Sequence, residues 1–272
     1  MLHIPIVLPK SPETGFIGTP VYRASSSSVI ANPQSLILSL DGTKLYMCSS
    51  SSDSVLYQYS MSVPFDITTL VFEKSKDLTE VDNLQSFFID STGTIIIVHS
   101  YLLNGRTMKK YTMSTPYDIA TASYQNTSPI LNMQDYPKGY FIRDDGIRLL
   151  NISSSKDRLD SFDLPYIWNV QDIPSYSFRD TGIDITSYVS SPGSVWFSKN
   201  GLKFWLCGSS PDYIQEFSLS VAWDILSTVT HIQDIDVVTQ DSSPDGLVMN
   251  NTGTKLYMCG SSSSKVHEYD MV

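Results

Sequence analysis

The stretch Asp41-Gly42-Thr43-Lys44-Leu45-Tyr46-Met47-Cys48 returns near the end of the chain as Thr252-Gly253-Thr254-Lys255-Leu256-Tyr257-Met258-Cys259. Between them lies Asn200-Gly201-Leu202-Lys203-Phe204-Trp205-Leu206-Cys207, the same pattern with larger aromatics. Each copy reads as a tight turn followed by a strand, because glycine adopts the positive φ of a hairpin turn without steric cost. Fainter copies stand around Gly93 and Gly146, so Gly42, Gly93, Gly146, Gly201 and Gly253 follow one another at 51, 53, 55 and 52 residues. Five copies of a unit of this length are the mark of a repeat architecture.

Outward from each glycine the pattern continues in both directions. An apolar triplet precedes it: Leu36-Ile37-Leu38, Phe87-Phe88-Ile89, Tyr140-Phe141-Ile142, Val195-Trp196-Phe197 and Leu247-Val248-Met249. After the second strand, degenerate in the second and third copies (Ile95-Ile96-Ile97-Val98, Arg148-Leu149-Leu150-Asn151), comes a polar turn. A third strand then ends in Tyr59, Tyr111, Phe162, Phe217 or Tyr269. Next stand Pro64-Phe65-Asp66-Ile67, Pro116-Tyr117-Asp118-Ile119, Ile167-Trp168-Asn169-Val170 and Ala222-Trp223-Asp224-Ile225, each leading toward a fourth strand. No stretch has the apolar spacing of a three-turn amphipathic helix.

The fifth copy stops at Val272, before its fourth strand, while Thr19-Pro20-Val21-Tyr22-Arg23 resembles the fourth strand Thr121-Ala122-Ser123-Tyr124-Gln125. An N-terminal strand that completes the last unit hides both chain-end edges and closes a ring. The expected fold is therefore all-β: a five-bladed β-propeller of four-stranded antiparallel blades, the last completed by the N-terminal strand. The blades are expected at 31–80, 81–130, 131–183, 184–237 and 238–272 plus 17–28. Residues 1–16, with Pro5, Pro9 and Pro12, read as an extended N-terminal arm, expected to dock on a neighbouring subunit.

Composition narrows the function. The chain carries 28 acidic and 18 basic residues, a net charge of −10, and no run of Lys or Arg. Phosphate backbones and anionic bilayers need clustered cations, so neither nucleic acid nor a membrane is expected as a partner. The start Met1-Leu2-His3-Ile4-Pro5 lacks the basic region of a signal peptide, and no apolar run approaches the roughly 20 residues of a spanning helix. A chain of 272 residues buries enough surface to fold without disulfides or metal.

Cys48, Cys207 and Cys259 occupy one repeat position in three copies, which places them on separate sheets and argues for buried free thiols. Asp66, Asp118 and Asp224, with Asn169 in the same place, read as caps for backbone amides, a task Asn shares and catalysis does not. His3, His99, His231 and His267 show no metal-ligand spacing, and neither a phosphate loop nor a nucleophile elbow is present. No cofactor, no metal and no catalytic residue are expected.

The serine-rich turns remain. In a four-stranded blade the second-to-third loop and the interblade loop emerge on one face of the ring. There the sequence places candidate partner-binding residues Ser51, Asp53, Tyr101, Asn104, Arg106, Ser154, Lys156, Asp212, Tyr213 and Ser263. Hydroxyls, amides and aromatics in that mixture suit a sugar or a protein partner, although Ser, Gly and Asn are also ordinary turn formers.

The pattern Asp-Gly-Thr-Lys-Leu-Tyr, a Val-x-x-Tyr strand and aromatic-Asp-Ile, carried best by 41–67 and 201–225, resembles propeller repeats of bacteriophage virion and tail-fibre-like proteins. Similar repeats occur in bacterial surface proteins. The resemblance spans residues 16–272, departs most in the third copy, and brings no catalytic residues with it. It implies a non-enzymatic virion structural protein, of tail, baseplate or capsid decoration, made in the host cytoplasm. Its implied partners are other virion proteins and a host-surface glycan or receptor. The alternatives are a lectin-like carbohydrate-binding propeller and, behind it, a glycan-degrading enzyme. The latter would want clustered carboxylates with Arg partners, and the six Arg are scattered.

Overall fold

Strands of six to eight residues dominate between glycine or serine turns; the second strand of a blade is buried almost throughout, whereas an outer strand such as Val229–Asp236 alternates half-buried and exposed side chains. The structure, a computed structural model, describes residues 18–49, 54–100, 107–129, 137–154, 157–172 and 182–272. The expected arm at 1–16 and the candidates Ser51, Asp53, Tyr101, Asn104, Arg106 and Lys156 lie outside the described residues. Blade one holds β2 (Pro33–Leu38), β3 (Lys44–Ser49), β4 (Val55–Met61) and β5 (Leu70–Asp77). Blade two holds β6 (Leu84–Ile89), β7 (Ile95–Ser100), β8 (Thr107–Met113) and β9 (Ala122–Thr127). Blade three holds β10 (Pro137–Ile142), β11 (Arg148–Ser153), β12 (Arg158–Asp163) and a two-residue β13 (Ile183–Asp184). Blade four holds β14 (Ser191–Phe197), β15 (Lys203–Ser209), β16 (Tyr213–Leu219) and β17 (Val229–Asp236). Blade five takes β18 (Pro244–Met249), β19 (Lys255–Gly260) and β20 (Lys265–Met271) from the C-terminus and β1 (Pro20–Ser25) from the N-terminus.

Every blade is an antiparallel sheet in simple up-and-down order, and the inner strands touch in the cycle β2, β6, β10, β14, β18 and back to β2. The ring closes through β1, which pairs with β20 from Pro20↔Met271 to Ser25↔His267. Its axis is filled by the middle residue of each apolar triplet. The Phe141 ring lies 5.0 Å from Trp196 and 5.9 Å from Phe88, with Ile37 and Val248 buried beside them.

The face opposite the serine-rich turns shows why the hairpin glycine and the aromatic-Asp-Ile motif travel together. Phe65, Tyr117, Trp168 and Trp223 all have positive φ, and their rings lie against Gly42, Gly93, Gly146 and Gly201. A Cβ on Gly201 would sit 2.3 Å from the Trp223 indole, and the residue's φ is +69°. The glycine is thus required twice, by its backbone and by the ring that covers it. Gly201→Ala should cost at least about 2 kcal/mol in urea unfolding, from left-handed strain plus a displaced ring; a cost within experimental error would refute the double requirement.

The following Asp acts as the sequence suggests. Asp66 Oδ1 accepts from Thr68 N at 3.0 Å, Asp118 from Ala120 N at 3.0 Å and Asp224 from Leu226 N at 3.1 Å. Asn169 Oδ1 does the same for Gln171 N at 2.9 Å. The next residue, Ile67, Ile119, Val170 or Ile225, is buried. Neighbouring blades are tied through the carbonyl of the covering aromatic: Tyr46 Oη donates to Tyr117 O (2.6 Å), Tyr257 Oη to Phe65 O (2.8 Å) and Arg148 Nη1 to Trp223 O (2.9 Å). Cys48, Cys207 and Cys259 are free and buried, and burial raises each thiol's pKa.

Candidate functional site

Each inner strand begins with an extra residue: the ladder slips between Pro33 and Ser35, Leu84 and Ser86, Pro137 and Gly139, Pro192 and Ser194, and Pro244 and Gly246. A bulge leaves that residue unpaired and re-aims its side chain. The residues so placed are Gln34, Gln85, Lys138, Gly193 and Asp245, at the end of the axis from which the serine-rich turns emerge. The inner strands crowd there. A Cβ on Gly193 would lie 2.6 Å from Asp245 O, and one on Gly139 would lie 2.7 Å from the Ser194 Cα. Gly193 contributes no side chain, so Lys138 of blade three and Asp245 of blade five interact across it.

The electrostatics of this mouth are unusual for an exposed face. Burial pushes the Asp245 carboxyl up to about 6, against the pull of Lys138 and of hydrogen bonds from Ser261, while Asp241 pushes the same way. Gln34 presents a buried Oε1 with no hydrogen-bond partner. A carboxylate and an ammonium therefore interact at this end of the axis, and Gln34 adds an amide from the corresponding bulge of the neighbouring inner strand β2. Such a set can hold a ligand rich in hydroxyls by accepting from some and donating to others.

Beside the mouth, blade five carries a chain of hydrogen bonds through its serine-rich turn. Asp241 is 2% exposed and stands where blades two and four have Val81 and Val189. Its carboxylate accepts from Ser243 N (2.8 Å), Ser263 N (2.9 Å) and Ser263 Oγ (2.6 Å). Ser263 Oγ is also 3.0 Å from His267 Nε2, and His267 Nδ1 is 2.8 Å from Ser25 Oγ, which meets Tyr22 Oη at 2.9 Å. Because the Ser263 hydroxyl donates to Asp241, His267 Nε2 must carry the proton and donate to Ser263, leaving Nδ1 to accept from Ser25. Burial lowers the pKa of His267, in keeping with a neutral ring. Serine, histidine and aspartate are all present, but the Ser263 hydroxyl stands between the imidazole and Asp241, so no carboxylate orients the ring directly as it does in an acyl-transfer triad. The chain instead pins β20 to β1.

Of the candidates read from sequence, Ser154, Asp212, Tyr213 and Ser263 are described, and all four are half-buried on the serine-rich face. Ser263 is committed to Asp241 and His267; Tyr213 begins β16, and Asp212 stands between it and the cis Ser210–Pro211 bond. Sequence reading passed over Gln34, Gln85, Lys138, Asp245 and Asp241. Four of the bulge residues sit inside a recurrent Pro-x-Ser or Pro-x-Gly, the one local sign that the position is special. Among the described residues no cluster of three or more His, Cys, Asp or Glu could hold a metal, and no helix is long and apolar enough to cross a membrane.

No protein-family model and no curated protein matches the sequence. Solved structures do. A functionally unknown protein from Desulfotomaculum acetoxidans superposes with a TM-score of 0.51 at 12% identity, covering 85% of this chain and 64% of that one. A candidate 6-phosphogluconolactonase from Bacteroides uniformis gives a TM-score of 0.47 at 20% identity, covering 87% of this chain and 66% of that one. The chain thus spans just under two thirds of the length of each. At 12% identity the first likeness shows the fold alone, and one fold serves many functions.

Proposed function

We propose that the chain is a non-enzymatic recognition propeller of a bacteriophage virion, and that it engages a hydroxyl-rich ligand, a host-surface glycan, at the axial mouth of its serine-rich face. The observation that carries the ligand assignment is the Asp245–Lys138 interaction at the axial mouth, with the unpartnered amide oxygen of Gln34 at the corresponding bulge of the neighbouring inner strand. Sugars are held by paired acceptors and donors of this kind, with apolar surface beneath the ring. The virion setting rests on the resemblance of the repeats. A free-standing lectin would use the same mouth, and the two differ in whether the protein is found on particles.

A glycan array on the purified chain tests the reading, with Asp245→Ala and Lys138→Ala as variants. A defined glycan set should be bound, and both variants should weaken binding at least tenfold. The ionised Asp245 is the better acceptor, so binding should fall as pH drops through about 6, and Asp245→Asn should flatten that profile. A chain that binds no glycan, or variants that bind as the parent does, would end the proposal.

A further inference from the structure

Neighbouring blades meet along five seams, and four of them are apolar where second strands face one another. Cys48 shares an apolar cluster with Val98, Ile152 with Leu206, Cys207 with Met258 and Cys259 with Met47. None of these eight residues is more than 1% exposed. The seam between blades two and three breaks the rule. His99 stands in the cysteine position, and Asn151 stands where the others have Met47, Val98, Leu206 and Met258. Tyr140, Asn151 and Asp160 are directly opposite one another across β10, β11 and β12, so their side chains share one face. The His99 ring lies 4.8 Å from the Tyr140 ring, which brings blade two onto that face.

All three polar groups are enclosed: His99 is 1% exposed, Asn151 0% and Asp160 2%. Five of their hydrogen-bonding atoms have no partner, namely both ring nitrogens of His99, both amide atoms of Asn151, and Asp160 Oδ2. Asp160 Oδ1 is held by Arg158 Nε at 2.9 Å. Leaving five such atoms bare would consume much of the stability a folded domain has.

We infer that this seam is an internal hydration site, in which ordered water molecules bridge His99, Asn151 and Asp160. The occupant must both donate and accept, because a neutral imidazole and an amide each do both. It must be uncharged, since Arg158 already balances Asp160. It must also be small, since the side chains around it are closed to solvent. Water meets all three conditions, and a buried polar site of this kind ordinarily holds it.

Two measurements decide the matter. A high-resolution crystal structure should show at least two ordered waters within about 2.6–3.2 Å of the five atoms. Density in which those atoms are bonded to protein groups, or to a larger co-purified molecule, overturns the assignment. The double variant His99→Cys/Asn151→Met installs the pair found between blades four and five. With water as the displaced partner, its Tm should stay level or rise by a few degrees, because four of the five atoms leave together and a water remains for Asp160 Oδ2. A fall of about 5 °C or more would mean that protein groups need these side chains, and would equally overturn the site.

Discussion

Glu268→Ala should destabilise the ring by roughly 3–5 kcal/mol in urea unfolding and should loosen one strand in particular, β1. Glu268 is fully buried on β20. Its Oε1 takes the Lys255 amine and, at 3.1 Å, Arg23 Nη1, while its Oε2 accepts the Ile67 N–H at 3.3 Å. One carboxylate therefore joins the second, third and fourth strands of blade five and reaches into blade one. Its loss leaves Lys255, 18% exposed, with only Asp270 at 3.7 Å, and it orphans a buried backbone amide. Arg23 is 43% exposed, so its own share is small. Glu216 supplies the control. It is also buried, with Lys203 Nζ at 2.5 Å and Gln233 Nε2 at 2.6 Å, but its blade is one continuous stretch of chain. Glu216→Ala should lose comparable stability yet leave hydrogen exchange in β1 unchanged. Glu268→Ala should speed exchange there, since no turn joins β1 to blade five and non-covalent contacts alone hold it: the pairing from Thr19 N–Val272 O at 2.7 Å to Ser26 N–Val266 O at 2.8 Å, the Ser25–His267 hydrogen bond and the Arg23–Glu268 pair that the variant removes. Equal β1 exchange in the two variants would show that Glu268 has no special part in closure.

Acid should separate His99→Cys from the parent protein. Burial lowers His99 to about 3, with the Tyr140 ring against it and Asp160 on the facing blade. The unfolded chain takes up this proton near 6.5 and the folded chain does not. The folded state therefore loses stability as pH falls from about 6.5 toward about 3, at about 1.4 kcal/mol per unit. Cysteine, already present at the same position in three other blades, has no such proton to bind. The gap between variant and parent should open below pH 6.5 and reach about 3 kcal/mol near pH 4.5. Asp245 works in the opposite direction: its raised pKa favours the folded state as pH falls below about 6. That contribution is common to both proteins and cancels in the difference. A gap that stays constant from pH 7.5 to 4.5 would rule out a buried neutral His99.

Much of this architecture was legible before any coordinates, for a physical reason. Hairpin glycines, capping Asp or Asn residues and strand alternation act over a few residues of chain, so each repeat states them locally and five repeats state them five times. The split blade was legible too, because the strand missing after Met271 has its counterpart at Pro20–Ser25. The pairing of glycine with a covering aromatic was harder to read: both recur in every full repeat, but their contact depends on the left-handed backbone of Phe65, Tyr117, Trp168 and Trp223.

The candidate site lay beyond sequence reading. The serine-rich turns drew the eye by composition, whereas Lys138 and Asp245 are single charged residues in separate repeats, each unremarked beside its Pro and Gly. They interact because the ring closes and because Gly193, between them, has no side chain to intervene. His99 and Asn151 likewise became one buried seam when blade two was laid on blade three. By itself the sequence determined the repeat, the blade, its turns and its closing strand, since those follow from forces acting between near neighbours. Tertiary structure alone decided which residues of different blades converge on the axis and the seams, because those distances are set by ring closure and by no local preference of the chain.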